Sequence, residues 1–165
     1  MNNYSKFIPT APEGMPITDM VYVNAQFPGV AEVQNQLHVH YQKYFNGHDT
    51  LECGTLGEKG LENIMTLSGD GEVLYPVSLS FHGAVCYAWS ETRNGGWAVC
   101  IRWVRNGEAG PIITVEEGEA VFYPNLFTHC GQLYLTWTRQ KKNAAEAVLC
   151  TVDGETLGEA EVISI

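Results

Sequence analysis

The stretch YPVSLSFHGAVCYAWSETRNGGWAVCIRWVRNGEAGPIITV runs from Tyr75 to Val115, and its reading decides the fold. Val77, Leu79 and Phe81 alternate with Ser78 and Ser80. After His82-Gly83, Val85, Tyr87 and Trp89 alternate with Cys86, Ala88 and Ser90. Asn94-Gly95 precedes Trp97 to Val104, and Asn106-Gly107 precedes Ile112 to Val115. Alternation with period two is the mark of a strand. Asn-Gly, and Gly at the second turn position, supply the positive φ of tight hairpin turns. The stretch therefore predicts a meander of four antiparallel strands.

The same scheme recurs on both sides with a 48-residue period. Phe27-Pro28, Tyr75-Pro76 and Tyr123-Pro124 are each an aromatic residue followed by Pro. Tyr41, Trp89 and Trp137 keep the spacing, as do Leu37-x-Val39, Val85-x-Tyr87 and Leu133-x-Leu135. Asn46-Gly47 and Asn94-Gly95 repeat in register, with Lys142-Asn143 in the third copy, and Cys130-Gly131 and Asp153-Gly154 supply further turns. A series held in one register predicts three homologous units, residues 27–68, 75–115 and 123–163. Residues 1–26 form a leader with Pro9, Pro12 and Pro16, read as extended, with one strand over Ile17 to Val23.

The whole chain has 165 residues, 45% of them hydrophobic and 11% aromatic, which supplies a core and excludes wholesale disorder. Nine Lys and Arg against 19 Asp and Glu give a net charge of −10. That balance argues against nucleic acid as a partner, because a phosphate backbone needs a basic footprint. It argues equally against an anionic membrane surface. No apolar run approaches the ~18 residues of a membrane span, and the N-terminus has no signal-peptide stretch. The five cysteines are scattered, without a CxxC, and read as reduced thiols of a cytoplasmic protein.

Four-stranded meanders repeated every 40 to 50 residues are the signature of β-propeller blades. The aromatic-Pro start, the turn and the Leu/Val-x-Leu/Tyr-x-Trp run resemble blades of the sialidase-like and related glycoside-hydrolase propellers, over residues 27–163. The resemblance implies that Tyr75-Pro76 and its equivalents begin the innermost strand, lining a central channel. Three blades are fewer than the about four to eight of a closed propeller. The expectation is thus an all-β half-propeller, completed to a six-bladed ring by a homodimer. A piece of a longer propeller, or a β-prism-like fold, would carry the same repeat.

The catalytic motifs of that superfamily do not carry over. Ser68-Gly69-Asp70-Gly71-Glu72 lacks the Thr-Trp of a sialidase box, and the four arginines Arg93, Arg102, Arg105 and Arg139 do not suggest its arginine triad. What remains is a set of aromatic and polar residues on the face formed by the loops entering the inner strands and between strands two and three: Tyr44, His48, Tyr75, Glu91, Arg93, Trp97, Tyr123 and Arg139. Aromatic platforms with polar neighbours suit sugar rings or peptide side chains. His38-x-His40 is the best metal suggestion, since a two-residue Asn46-Gly47 loop places Cys53 across from His40. Plain packing competes, because the other repeats carry Cys86, Ala88 and Ile101, or Tyr134, Thr136 and Leu149, at those positions. No cofactor is expected. The leading expectation is a non-catalytic binding or scaffold module, with a glycan as first ligand. The alternatives are a glycoside hydrolase-like enzyme whose paired carboxylates, such as Glu32 or Glu91 and their copies, meet at the dimer axis, and a structural assembly protein.

Overall fold

The computed structural model describes residues 24–163 apart from Asn46 and Asn143. The proposed leader strand at Ile17 to Val23 lies outside the described residues. The described chain is all-β, arranged as three antiparallel sheets. The first contains β1 (Asn24–Val33), β2 (Gln36–Phe45), β3 (His48–Gly57) and β4 (Gly60–Thr66) in sequence order. The second contains β5 (Val73–Phe81), β6 (Ala84–Arg93), β7 (Gly96–Arg105), β8 (Glu108–Ala109) and β9 (Ile113–Gly118). The third contains β10 (Val121–His129), β11 (Gln132–Lys141), β12 (Ala144–Asp153), β13 (Thr156–Leu157) and β14 (Glu161–Ile163). In the second and third sheets the fourth strand is split. β8 and β9 both pair with β7, and β13 and β14 both pair with β12. Gly110-Pro111 interrupts the first of these pairs, and Pro has no N–H for the ladder.

The hairpins are tight for the reason the sequence suggests. Asn94 and Gly95 adopt φ of 49° and 81°, and Asn106 and Gly107 adopt 52° and 79°. Two successive positive φ values make the type I′ turn, whose twist matches that of paired strands. His82-Gly83, Cys130-Gly131 and Gln34-Asn35 follow the same pattern.

One expectation is corrected. The aromatic-Pro dipeptides do not begin the inner strands; these start earlier, at Asn24, Val73 and Val121. Each dipeptide forms a β-bulge inside its strand. The register jumps between Gln26 and Gly29, between Leu74 and Val77, and between Phe122 and Asn125. Two residues on the inner strand thus oppose a single residue on its neighbour, and that residue is Tyr41, Trp89 or Trp137. The two recurring sequence features are therefore the two sides of one bulge. Phe27, Tyr75 and Tyr123 hold φ of 49°, 55° and 57° there. For residues other than Gly this left-handed conformation costs on the order of 1–2 kcal/mol each.

The sheets pack face to face through two cores. Leu51, Cys53, Tyr87, Trp89, Cys100 and Val104 fill the space between the first and second sheets. Val99, Ile101, Leu126, Leu135, Trp137 and Val148 fill the space between the second and third. The second sheet is thus covered on both faces, and β6 is buried at every position from Ala84 to Glu91. The inner strands β1, β5 and β10 lie side by side where the sheets converge. Backbone bonds from Thr92 N to Glu72 O and from Gln140 N to Ala120 O tie each linker to the sheet after it, again 48 residues apart.

Candidate functional site

The three bulges bring their aromatic rings together. Phe27 and Tyr75 meet edge to face with centroids 6.2 Å apart, and Tyr75 and Tyr123 lie 4.4 Å apart at a 38° tilt. Phe122, the residue before Tyr123, stands 6.5 Å from Tyr75 and 4.9 Å from Trp97. Phe27 is 46% exposed and Tyr123 55%. Hydrogen bonding to Tyr123 pushes the Tyr75 phenol above its ordinary range. One aromatic from each of three sheets thus forms a solvent-facing cluster where the inner strands meet.

A second recurrent arrangement lies behind it. The polar tip of each residue opposite a bulge is held by a carboxylate that a cation also reaches. The Tyr41 hydroxyl donates to Glu52 Oε2 at 2.7 Å, and Lys43 donates to Glu52 Oε1 at 2.8 Å. Trp89 Nε1 donates to Glu91 Oε2 at 2.7 Å, with Arg93 3.5 Å from Glu91 Oε1. Trp137 Nε1 donates to Glu116 Oε2 at 2.6 Å, and Arg139 Nη2 donates to the same oxygen at 2.9 Å. The carboxylates come from unrelated positions, β3, β6 and β9, so the repeat conserves the contact and not the residue. These are anchoring contacts: a buried indole N–H left without an acceptor would cost about 1–3 kcal/mol.

These two arrangements sort the residues singled out from the sequence. Tyr75 and Tyr123 belong to the central cluster. Trp97 flanks it through Phe122 and is half-buried. Glu91 does not lie on a ligand-facing loop. It is 2% exposed and also accepts from the Gly69 N–H at 3.1 Å, which fixes the linker between the first two sheets. It is accordingly no candidate for a carboxylate pair in a channel, whereas Glu32 stays exposed on β1. Arg93 donates to Thr114 Oγ1 at 2.6 Å, and Arg139 is shared between Glu116 and Glu146, whose carboxyl is held below its usual range by Lys141 and Arg139. Tyr44 and His48 stand at the β2–β3 hairpin, with His48 Nδ1 3.7 Å from Glu72 Oε1. The sequence reading left Phe27 and Phe122 out of the site. The signal for Phe27 was present, since it is in register with Tyr75 and Tyr123. Phe122 carries no such signal, because its equivalents are Gln26 and Leu74.

The metal suggestion fares differently on its two levels. His40 pairs with Cys53 across β2 and β3, as the hairpin register requires, while His38 pairs with Thr55. Yet among the described residues no group of three His, Cys, Asp or Glu could hold a metal ion. Burial explains the role of the two residues better. His40 packs edge-on against Tyr87, 5.8 Å away, with its Nδ1 unpartnered among the described residues. Burial lowers its pKa below the usual 6.5, against a smaller opposing contribution from the Pro76 backbone. Burial likewise pushes the Cys53 thiol up to about 11, which leaves it protonated and a poor ligand or nucleophile.

No family model matches the chain, and no curated protein does. Solved structures do. The chain is similar to a neuraminidase-like protein of A/little yellow-shouldered bat/Guatemala/060/2010, at 9% identity and a TM-score of 0.61, over 86% of this chain and 44% of that one. It is similar also to a mannose phosphorylase from Leishmania mexicana, at 11% identity and a TM-score of 0.53, over 81% of this chain and 44% of that one. This chain spans less than half the length of either. At such identities the likeness is one of fold, and it agrees with the sialidase-like resemblance of the repeats: the three sheets are consecutive blades of a β-propeller.

Proposed function

We propose that the chain is a non-catalytic binding module of an oligomeric propeller, which takes a neutral sugar on the cluster of Phe27, Tyr75 and Tyr123. The supporting observation is the convergence of three aromatic rings, one per blade, each held in left-handed backbone and two of them about half exposed. Flat aromatic faces bind the apolar C–H faces of a pyranose, and the two phenols supply the few polar groups that orient a ligand. The net charge of −10 disfavours an anionic ligand and favours a neutral one.

A glycan array followed by titration of tyrosine fluorescence tests this reading. Neutral glycans are expected to bind, and Tyr75→Ala or Tyr123→Ala to weaken binding at least about tenfold, the loss of ~1.4 kcal/mol expected for one stacking ring. An array without hits, or affinities unchanged in both variants, rejects it.

A further inference from the structure

Each blade has two unlike faces. The leading face, turned toward the preceding blade, carries the residue opposite the bulge. The trailing face is turned toward the next blade. In the second blade the leading face presents Val85, Tyr87, Trp89, Cys100 and Val104, all packed against the first blade. In the third it presents Leu133, Leu135, Trp137, Val148 and Val152, packed against the second. The equivalent positions of the first blade are Leu37, Val39, Tyr41, Glu52 and Leu56, and among the described residues no other blade covers them. Leu37 is 38% exposed and Leu56 50%, where Val85 is 0% and Val104 3%. Ile64, equivalent to the packed Ile112, is 53% exposed.

The opposite end of the chain has the matching deficit. The trailing face of the second blade buries Leu79, Val99 and Ile101 against the third blade. The third blade's own trailing face carries their equivalents, Phe127, Ala147 and Leu149, which no other blade covers among the described residues; Phe127 stacks on Tyr134 of its own sheet at 5.3 Å. That face also carries Gln132, Thr136 and Thr151. Such polarity is no obstacle, because the trailing face of the first blade carries Gln36, His38, His40 and Thr55 and still packs on the second. The two internal joints set an apolar leading face on a trailing face that is mixed in the first blade and apolar in the second, and one leading and one trailing face are uncovered among the described residues.

We infer that the occupant of both faces is a second copy of this chain, joined head to tail. The trailing face of blade three seats on the leading face of the partner's blade one, and a twofold axis repeats the joint. Each new joint would set the leading face of blade one, where Glu52 stands in place of Cys100 and Val148, on a mixed trailing face like the one that the first blade turns to the second. Six blades fall within the range that closes a propeller, and the structures the chain matches extend over about twice its length, with the chain covering 44% of each. Closure also removes from water the exposed apolar side chains of Leu37, Leu56 and Phe127, of a kind that marks an association site. The inference rests partly on the proposed binding role: the twofold would gather two sets of Phe27, Tyr75 and Tyr123 around one axis, so that the sugar site is completed by both copies.

Mass in solution, by light scattering and native mass spectrometry of the full chain, tests the ring separately from binding. The expected mass is twice the 18.2 kDa of one chain. Leu56→Glu on the leading face and Leu149→Glu on the trailing face are each expected to yield a monomer, with near-ultraviolet dichroism of Trp89 and Trp137 retained as proof of folding. Mixing the two monomeric variants should restore a dimer through the one joint in which both surfaces are native. A single-chain mass for the native protein, a trimer or open fibre, or a dimer that one of the two variants leaves intact would overturn the head-to-tail ring. A dimer that binds no glycan would reject only the proposed ligand.

Discussion

At the scale of single residues, two buried groups govern stability in ways that can be measured. Glu91 accepts from the buried Trp89 indole and from the half-buried Gly69 amide. Glu91→Ala strands both donors and is expected to cost about 2–4 kcal/mol, within the range for breaking a buried network. Urea unfolding will show it as a lower midpoint at unchanged slope. Glu91→Gln keeps one acceptor oxygen and should recover part of the loss. His40 gives a pH signature. Burial lowers its folded pKa below the 6.5 of the free side chain. Between those two values the unfolded chain holds more protons than the folded one, so stability rises with pH. The stability His40 confers at pH 7 is thus lost as pH falls through 6.5 toward the folded pKa. His40→Phe keeps the edge contact with Tyr87 and removes the titration. Its melting temperature should fall less between pH 7 and pH 5 than that of the native protein. Equal slopes would show that His40 is not buried neutral.

At the scale of elements, the bulge is the unit that links fold to proposed function. Its aromatic residue is held left-handed, and its Pro can donate no ladder bond, so the inner strand must turn its ring out of the sheet. Stability and binding should separate at this point. Tyr123→Gly relieves the strained φ of 57° but adds freedom to the unfolded chain, two effects of about 1 kcal/mol and opposite sign. The melting temperature is expected to stay within ~4 °C of the native value, while the affinity for a neutral glycan drops. A large loss of stability would assign the ring to packing instead. The alternation along β6 and the Asn-Gly turns are plain in the sequence because they are local. The bulge is not, since a dipeptide two or three residues into a strand looks the same as one at its start. Only the register against Trp89 distinguishes them.

At the scale of the whole molecule, the three described blades leave uncovered, among the described residues, the two faces that an intact propeller would cover. If two copies close the ring, folding and association are linked by mass action, and the melting temperature must rise with protein concentration. Differential scanning calorimetry across a hundredfold range of concentration should show this shift, and Leu56→Glu should abolish it. A melting temperature independent of concentration would argue that the chain folds and stays alone.

The sequence by itself determined the strands, the turns, the three-fold repeat and the propeller architecture. All of these follow from local periodicity and from identity in register, which a single chain displays directly. It named Tyr75 and Tyr123 but grouped them with Glu91, Arg93 and Arg139, because residues at like loop positions look alike before their partners are known. Tertiary structure decided between them. It buried Glu91 under the Gly69 linker, paired Arg139 with Glu116, and left the aromatic rings to meet where three inner strands converge. Which side chain is anchored and which is free depends on contacts between residues 20 or more apart in the chain, such as Gly69 with Glu91 and Trp137 with Glu116. No local pattern encodes those contacts, since the residue opposite the bulge meets a carboxylate of β3 in the first blade, of its own strand β6 in the second, and of the preceding blade's β9 in the third.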